Sequence, residues 1–245
     1  MFVLKKTTTS MPIHSPAFPD PFVPYESPDY VSLYAIVEID EHEVKRILAP
    51  TEFDYVNNYA VISITDFSNC NKIPYMDCAI VIPVQFEGKY GGYYIYEYEN
   101  NDAAIAAGRE LWGYPKKYAD ITLNKNNGIY TGYAKKNDKV FLEIEGAKTS
   151  NNTTQLEEFT VTPHLNIRTI LDPSGGKPIR QIIERDTSPD FVLKEEISLD
   201  IKLNIQSTQF EPLKRLNPKV LGGGVIKGDF YATEENGWGE IISES

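Results

Sequence analysis

Along most of the chain, aromatic and β-branched residues gather in short runs bounded by turn residues, the pattern of half-buried strands. Such runs lie at Tyr30–Ile39, Tyr59–Thr65, Cys78–Phe86, Gly92–Tyr98, Tyr118–Leu123, Gly128–Ala134 and Val140–Glu145. Beyond a polar stretch, Lys148–Gln155, which reads as a surface loop, further runs follow at Glu158–Val161, Leu165–Leu171, Pro178–Ile183, Phe191–Ile205 and Lys219–Ala232. Two segments carry a helical pattern instead. In Asp40–Leu48, Asp40 can cap, Glu43 stands where a capping box needs it, and Val44, Ile47 and Leu48 share one face before Pro50. In the second, Asp102 can cap Ala103–Leu111, whose small residues suit close packing on a sheet; Trp112-Gly113-Tyr114-Pro115 ends it and delivers Lys116 and Lys117. Neither an internal repeat nor a linker divides the chain. Residues 1–245 are read as a single α+β domain, predominantly antiparallel β, arranged as a sandwich or a closed sheet.

Composition narrows the function classes. The chain has 245 residues, 41% of them hydrophobic, with 16 Tyr and 11 Phe favouring pleated surfaces. Against 24 Lys and Arg stand 35 Asp and Glu; the net charge of −11 repels phosphate backbones and anionic lipids, so no nucleic-acid or membrane partner is expected. Nothing resembles a signal peptide or a membrane span, and the reading is a cytoplasmic protein. Cys70 and Cys78 are read as ordinary thiols. The Asn-x-Thr sequons at Asn151 and Asn152 are read as chance within a polar turn. His14, His42 and His164 lack ligand spacing, so no metal is expected. Gly222-Gly223-Gly224 lacks the Lys-Ser/Thr ending of a phosphate-binding loop and is read as a flexible turn or bulge.

One constellation carries chemistry. Lys116-Lys117 follows an apolar helix and an aromatic turn and leads into a strand, so at least one of the two lysines should face the interior. Burial and a neighbouring ammonium both disfavour the cation and lower its pKa. An ordinary lysine is neutral at pH 7 in only about one molecule in 2,500, and a fall of roughly three to four in pKa removes that handicap. The chemistry that needs such an amine is Schiff-base formation with a ketone.

The run Glu110-Leu111-Trp112-Gly113-Tyr114-Pro115-Lys116-Lys117 resembles the hallmark of the acetoacetate decarboxylase superfamily, Glu-(Leu/Met)-x-Gly-(Tyr/Phe)-Pro-Lys-Lys. Acetoacetate decarboxylase is itself a standard example of a lysine activated by a second cation. Ser15–Pro19, Ile82-Pro83-Val84, Ala104–Gly108 with Arg109-Glu110, Pro163–Ile170 and Lys177–Arg180 follow in the family's order. The resemblance implies a closed, cone-like β-barrel with a few short helices, a homo-oligomer, and no cofactor. It implies that Lys116 forms the imine, with Lys117 as its charged or oriented neighbour. The family's catalytic carboxylate falls on Asp77, shorter than the usual glutamate. A second glutamate has no counterpart in Ala60–Thr65, though Asp66 lies just beyond, and the family's N-terminal arginine falls in Glu26–Tyr30, where none occurs. Trp112, Tyr114, Tyr96, Tyr98 and Glu110 are candidates for the pocket; Glu110 and Arg109 are also read as structural partners of the turn.

The expected function is therefore decarboxylation of a β-keto acid, a small-molecule substrate, through an imine on Lys116. The departures among the acids and the missing arginine keep two alternatives open. One is a Schiff-base aldolase-dehydratase acting on pyruvate or a similar α-keto acid plus an aldehyde; the other is a non-enzymatic β-barrel that binds a small molecule.

Overall fold

The computed structural model describes residues 10–149 and 162–245. The expected strand Glu158–Val161, most of the expected loop Lys148–Gln155 and both sequons lie outside those residues.

Fourteen strands and two helices make up the described chain. In order they are β1 (Tyr25–Glu38), α1 (Glu41–Leu48), β2 (Asp54–Tyr55), β3 (Tyr59–Phe67), β4 (Tyr75–Phe86), β5 (Lys89–Glu99), α2 (Asp102–Trp112), β6 (Lys116–Tyr118), β7 (Asp120–Asn126), β8 (Ile129–Lys136), β9 (Lys139–Lys148), β10 (His164–Ile170), β11 (Ile179–Arg185), β12 (Val192–Ile205), β13 (Lys219–Ala232) and β14 (Glu240–Glu244). Hydrogen bonds join them in the order β14-β11-β10-β5-β4-β3-β1-β13-β12-β9-β8-β7, with β2 added to β4 and β6 to β5. All pairings are antiparallel except β10 with β5 and β6 with β5.

Among the described residues, hydrogen bonding does not close the expected barrel. The path begins at β14 and ends at β7 with no ladder joining the two. Side chains, rather than backbone pairing, bring the far end back. β12 is long enough to belong to two layers: its first half pairs with β13, and from Leu199 onward it pairs with β9. That hands the chain from one layer to the other. β7–β9 then lie over β3–β5, where Gly132 leaves room for Ile64 and Tyr98 packs on Phe141 with ring centroids 4.6 Å apart. Leu33, Ile62, Ile64, Ile80, Ile82, Leu142 and Ile144 fill the space between the layers.

Local chemistry explains both helices. Asp40 Oδ1 accepts from Glu43 N at 2.9 Å, as the capping pattern predicts, while the Glu43 carboxylate turns to Arg46. α2 is capped one residue earlier than expected, by Asn101, whose Oδ1 accepts from Ala103 N and Ala104 N. Asp102 is instead the first helical residue, where its charge complements the helix dipole. Gly113, at φ 73°, ends the helix in the left-handed region that favours glycine. The glycines at 222–224 form neither a turn nor a loop. They lie within β13 opposite Tyr34–Ile36, beside a bulge, and a Cβ on Gly223 would meet the Tyr34 carbonyl.

Candidate active site

The hallmark turn is held by its own backbone. Tyr114 N donates to Gly108 O at 3.2 Å, and β6 starts immediately after Pro115, in parallel register with β5 so that Lys116 faces Glu97. Consecutive residues of a strand point to opposite sides. Lys116 is therefore buried, whereas Lys117 is turned outward and half exposed, with Nζ 2.6 Å from Glu211 Oε1. The expectation that the Lys117 charge acts on Lys116 finds no support in this arrangement, because the two ammonium groups belong to different faces.

Three carboxylates surround Lys116 Nζ instead. Glu99 is in direct contact, Glu97 lies at 3.4 Å, and the Asp77 carboxylate lies within 4.8 Å of both glutamates. Register explains the grouping: Asp77 on β4 is directly opposite Glu99 on β5, and Glu97 lies two residues before Glu99 on the same face. The ammonium also lies over the rings of Tyr75 and Tyr114, 5.4 and 5.2 Å from their centroids. Gly108 makes room for the lysine stem, since a Cβ there would run into Cδ and Cε of Lys116.

The electrostatics run opposite to the expected depression of the lysine pKa. Burial pushes the Lys116 ammonium down, but Glu97, Glu99 and Asp77 together outweigh it and hold the amine above its ordinary value. Burial also pushes the acids up: Asp77 well above its usual range, with Glu97 adding repulsion, Glu97 itself upward, and Glu99 to about 7. The resting site is thus an ammonium held among carboxylates whose own affinity for protons is raised by burial. Asp77 Oδ2, Glu97 Oε2 and Glu99 Oε2 are buried without hydrogen-bond partners. Among the described residues these three carboxylates also form the group that could hold a metal ion, with ligand atoms within 4.8 Å of one another. The Lys116 ammonium supplies positive charge at that position.

Above this cluster lies a cavity of about 280 Å³, walled largely by aromatic side chains, among them Tyr30, Tyr75, Tyr94, Trp112, Tyr114 and Phe230. A hydrogen-bonded chain closes one side. The Arg185 guanidinium donates to Tyr114 Oη at 3.4 Å, leaving the tyrosine hydroxyl to donate to His164 Nδ1 at 2.7 Å; His164 Nε2 lies 3.4 Å from Tyr94 Oη. Burial, reinforced by Arg185, pushes His164 down to about 3, so it is neutral in this chain.

Of the residues proposed from sequence, Lys116, Asp77, Trp112 and Tyr114 meet at the cavity. Lys117, Tyr96, Tyr98 and Glu110 do not. A bulge at Ile95 pairs Ile80 with Tyr96 and Val81 with Tyr94, which breaks the alternation that would have put Tyr94, Tyr96 and Tyr98 on one face. Tyr94 therefore lines the cavity, while Tyr98 and Tyr96 join the core behind the sheet. Glu110 is exposed, and its backbone carbonyl accepts from Arg168 Nη1 at 3.0 Å. Arg109 serves the turn by donating to Lys116 O. Glu97, Glu99, His164 and Arg185 are the site residues that sequence reasoning missed. For the two glutamates a signal existed, since acids at alternate positions of an otherwise aromatic strand share a face. β3, where the second acid was sought, offers Ser63 and Thr65 to the cavity, and Asp66 turns to Ser68 N.

A fold with this site defines a class of lysine-centred proteins, and comparison with known proteins identifies it. The acetoacetate decarboxylase family profile matches residues 10–237. The chain belongs to the acetoacetate decarboxylase family. Acetoacetate decarboxylase of Burkholderia cenocepacia (strain HI2424) is 36% identical over 125 residues, covering 50% of this chain and 49% of that protein. The chain thus matches about half the length of its curated relatives. A solved acetoacetate decarboxylase superposes with a TM-score of 0.85 at 21% identity, covering 97% of this chain and 96% of the other. The enduracididine biosynthesis enzyme MppR, complexed with the condensation product of pyruvate and imidazole 4-carboxaldehyde, superposes with a TM-score of 0.73 at 13% identity, covering 97% of each chain. At these identities the two superpositions establish the shared fold. No helix of the described residues is long and apolar enough to cross a membrane.

Proposed function

We propose that the protein is an imine-forming lyase that decarboxylates a β-keto acid, with Lys116 as the amine. The observation that carries the reading is Lys116 itself: one buried amine at the floor of an aromatic cavity, in contact with acids able to take and return its proton. The lysine is a cation at rest, so the first step is loss of its proton to Glu99, whose carboxyl is poised near neutrality. The neutral nitrogen attacks the ketone, and a carboxyl of the cluster protonates the departing oxygen, which leaves as water. The iminium then accepts the electron pair of the breaking C–C bond as the carboxylate departs as CO₂. Asp77 or Glu97 delivers a proton to the enamine carbon, and water hydrolyses the new iminium to release the ketone and Lys116. The aromatic walls of the cavity favour loss of CO₂, which disperses the negative charge of the substrate carboxylate.

A second reading, a Schiff-base aldolase-dehydratase using pyruvate or a similar α-keto acid and an aldehyde, gains support from the fold shared with MppR and from an acid cluster able to serve several proton transfers. Borohydride trapping separates the readings. The protein is incubated with acetoacetate, longer β-keto acids, or pyruvate with and without an aldehyde; CO₂ is recorded and adducts are mapped by peptide mass. An adduct on Lys116 with CO₂ from a β-keto acid is expected. An adduct only from pyruvate, with a longer unsaturated keto acid formed and no CO₂, selects the second reading, and absence of any adduct refutes both.

A further inference from the structure

Arg185, the last residue of β11, is buried at the cavity wall with only 6% of its surface exposed. Its partners are all uncharged: Nε donates to Gly237 O at 2.8 Å, Nη2 to Tyr25 Oη at 3.0 Å, and Nη1 to Tyr114 Oη at 3.4 Å. The Trp112 ring lies 4.0 Å from its central carbon. A guanidinium has five N–H donors, so two remain beyond these three bonds. The adjacent acid, Asp186, is committed elsewhere, to Ser188 N and Oγ. A buried cation is costly unless paired, and here no carboxylate hydrogen-bonds to the guanidinium, Glu97 acting on it only through space.

Resting on the imine reading of Lys116, we infer that Arg185, with Tyr25, binds an anionic group of the substrate that survives the reaction, so that the substrate is an oxo acid with a second carboxylate. Two arguments lead there. An arginine gripping the carboxylate that leaves would stabilise the charge the reaction must disperse, so a cation helps only when it holds a group that stays. Geometry also separates the two ends: Lys116 Nζ sits over the face of the Tyr114 ring, while Arg185 meets the hydroxyl of the same side chain. One tyrosine thus spaces the imine from the cationic anchor. Tyr25 accepts from Arg185 and retains its own O–H for a bound carboxylate. The balanced reaction is that described above: one carboxylate leaves as CO₂ with its electron pair passing to the iminium, and the other is untouched.

The test uses a matched pair, 3-oxohexanedioate and 3-oxohexanoate, which differ in a terminal carboxylate against a methyl group. Turnover per unit concentration should be about 10- to 100-fold higher for the diacid, the worth of a charge-assisted hydrogen bond. Arg185→Gln should shrink that preference by lowering the diacid far more than the monoacid, and Arg185→Lys should restore part of it. In the unaltered protein the product 4-oxopentanoate should compete better than pentan-2-one, a readout independent of how the variants fold. Equal turnover of the pair with equal competition by the two products overturns the inference while leaving the imine reading intact, as does a diacid preference that Arg185→Gln leaves undiminished. Failure of both compounds, and of the simpler keto acids, to give a borohydride adduct on Lys116 overturns the imine reading and this inference with it.

Discussion

Lys117→Ala tests the division of labour between the paired lysines. Lys117 Nζ lies 2.6 Å from Glu211 Oε1, with 45% of the lysine side chain exposed and 3% of the glutamate. Coulomb's law at that separation gives about 1.6 kcal/mol in water and about 6 kcal/mol at an effective dielectric of 20. Screening at the exposed lysine discounts the larger figure, whereas a buried carboxylate left without its cation raises the cost above that of a surface pair. Glu211 Oε2 already lacks a hydrogen-bond partner, so the orphaned carboxylate has little to fall back on.

A loss of about 2 kcal/mol is expected, or a fall in Tm of about 4–8 °C for a chain of this size. Lys117→Ala with Glu211→Gln should recover most of it, since the second change removes the stranded charge. The pH dependence of borohydride trapping at Lys116 should stay put, because Lys117 projects from the other face of β6. Thermal melts of the single and double variants and a trapping profile from pH 5 to 10 provide the measurements. A trapping midpoint displaced by about one pH unit, equivalent to 1.4 kcal/mol at Lys116, would refute the reasoning and restore a direct electrostatic role for Lys117.

Gly108→Ala, a substitution that would normally favour an α-helix by up to about 1 kcal/mol, should instead reduce Lys116 trapping at least about tenfold, because the new methyl would occupy the space of the lysine stem. An unchanged trapping rate in a folded variant would show that the stem is free to move. Glu99→Gln removes one of the charges that hold the ammonium, so the pH midpoint of trapping should move down; no movement, or movement upward, would argue that Glu99 is uncharged at rest. The same variant has a stability signature. Glu99 binds its proton more tightly when folded, about 7 against 4.5, so the associated stability is complete below pH 4.5 and is lost as pH rises through 7. Urea melts at pH 4.5 and pH 8 should show a smaller difference for Glu99→Gln than for the unaltered protein.

How much of this was legible in the sequence depends on whether a feature is local. The strand periods, the Asp40 cap and the turn that delivers Lys116 are encoded within a few residues each. The cavity chemistry is not. Asp77 and Glu99 become neighbours only through the β4–β5 register, and the single bulge at Ile95 reverses which tyrosines face the cavity. No local pattern announces a one-residue slip, although its consequence is complete, because side chains alternate between faces. Arg185 is more remote still: it ends a strand and reaches the site through the β10–β11 pairing with His164. Closure of the sheet is not legible in the sequence for a related reason. Alternating patterns specify that a face is buried, yet they do not say whether backbone ladders or side-chain packing complete the enclosure.

The acids of β5 change what the departures from the family pattern mean. Read along Ala60–Thr65, the chain lacks the second glutamate; read in three dimensions, it has Glu97 and Glu99 around the same lysine. Read along the N-terminal segment it lacks an arginine, while Arg185 brings a cation to the cavity from β11. The fold thus brings to the cavity, from other strands, acids and a cation that those two segments do not contain. The acids lie around Lys116 while Arg185 stands at the wall beyond the Tyr114 ring, and the direction of a cation selects among substrates once the reacting group is fixed. The acid cluster bears on whether Lys116 forms an imine at all, and Arg185 on which imine it forms. Substitutions at Glu99 should accordingly displace the pH profile for every keto acid alike, whereas substitutions at Arg185 should reorder the substrates at constant pH.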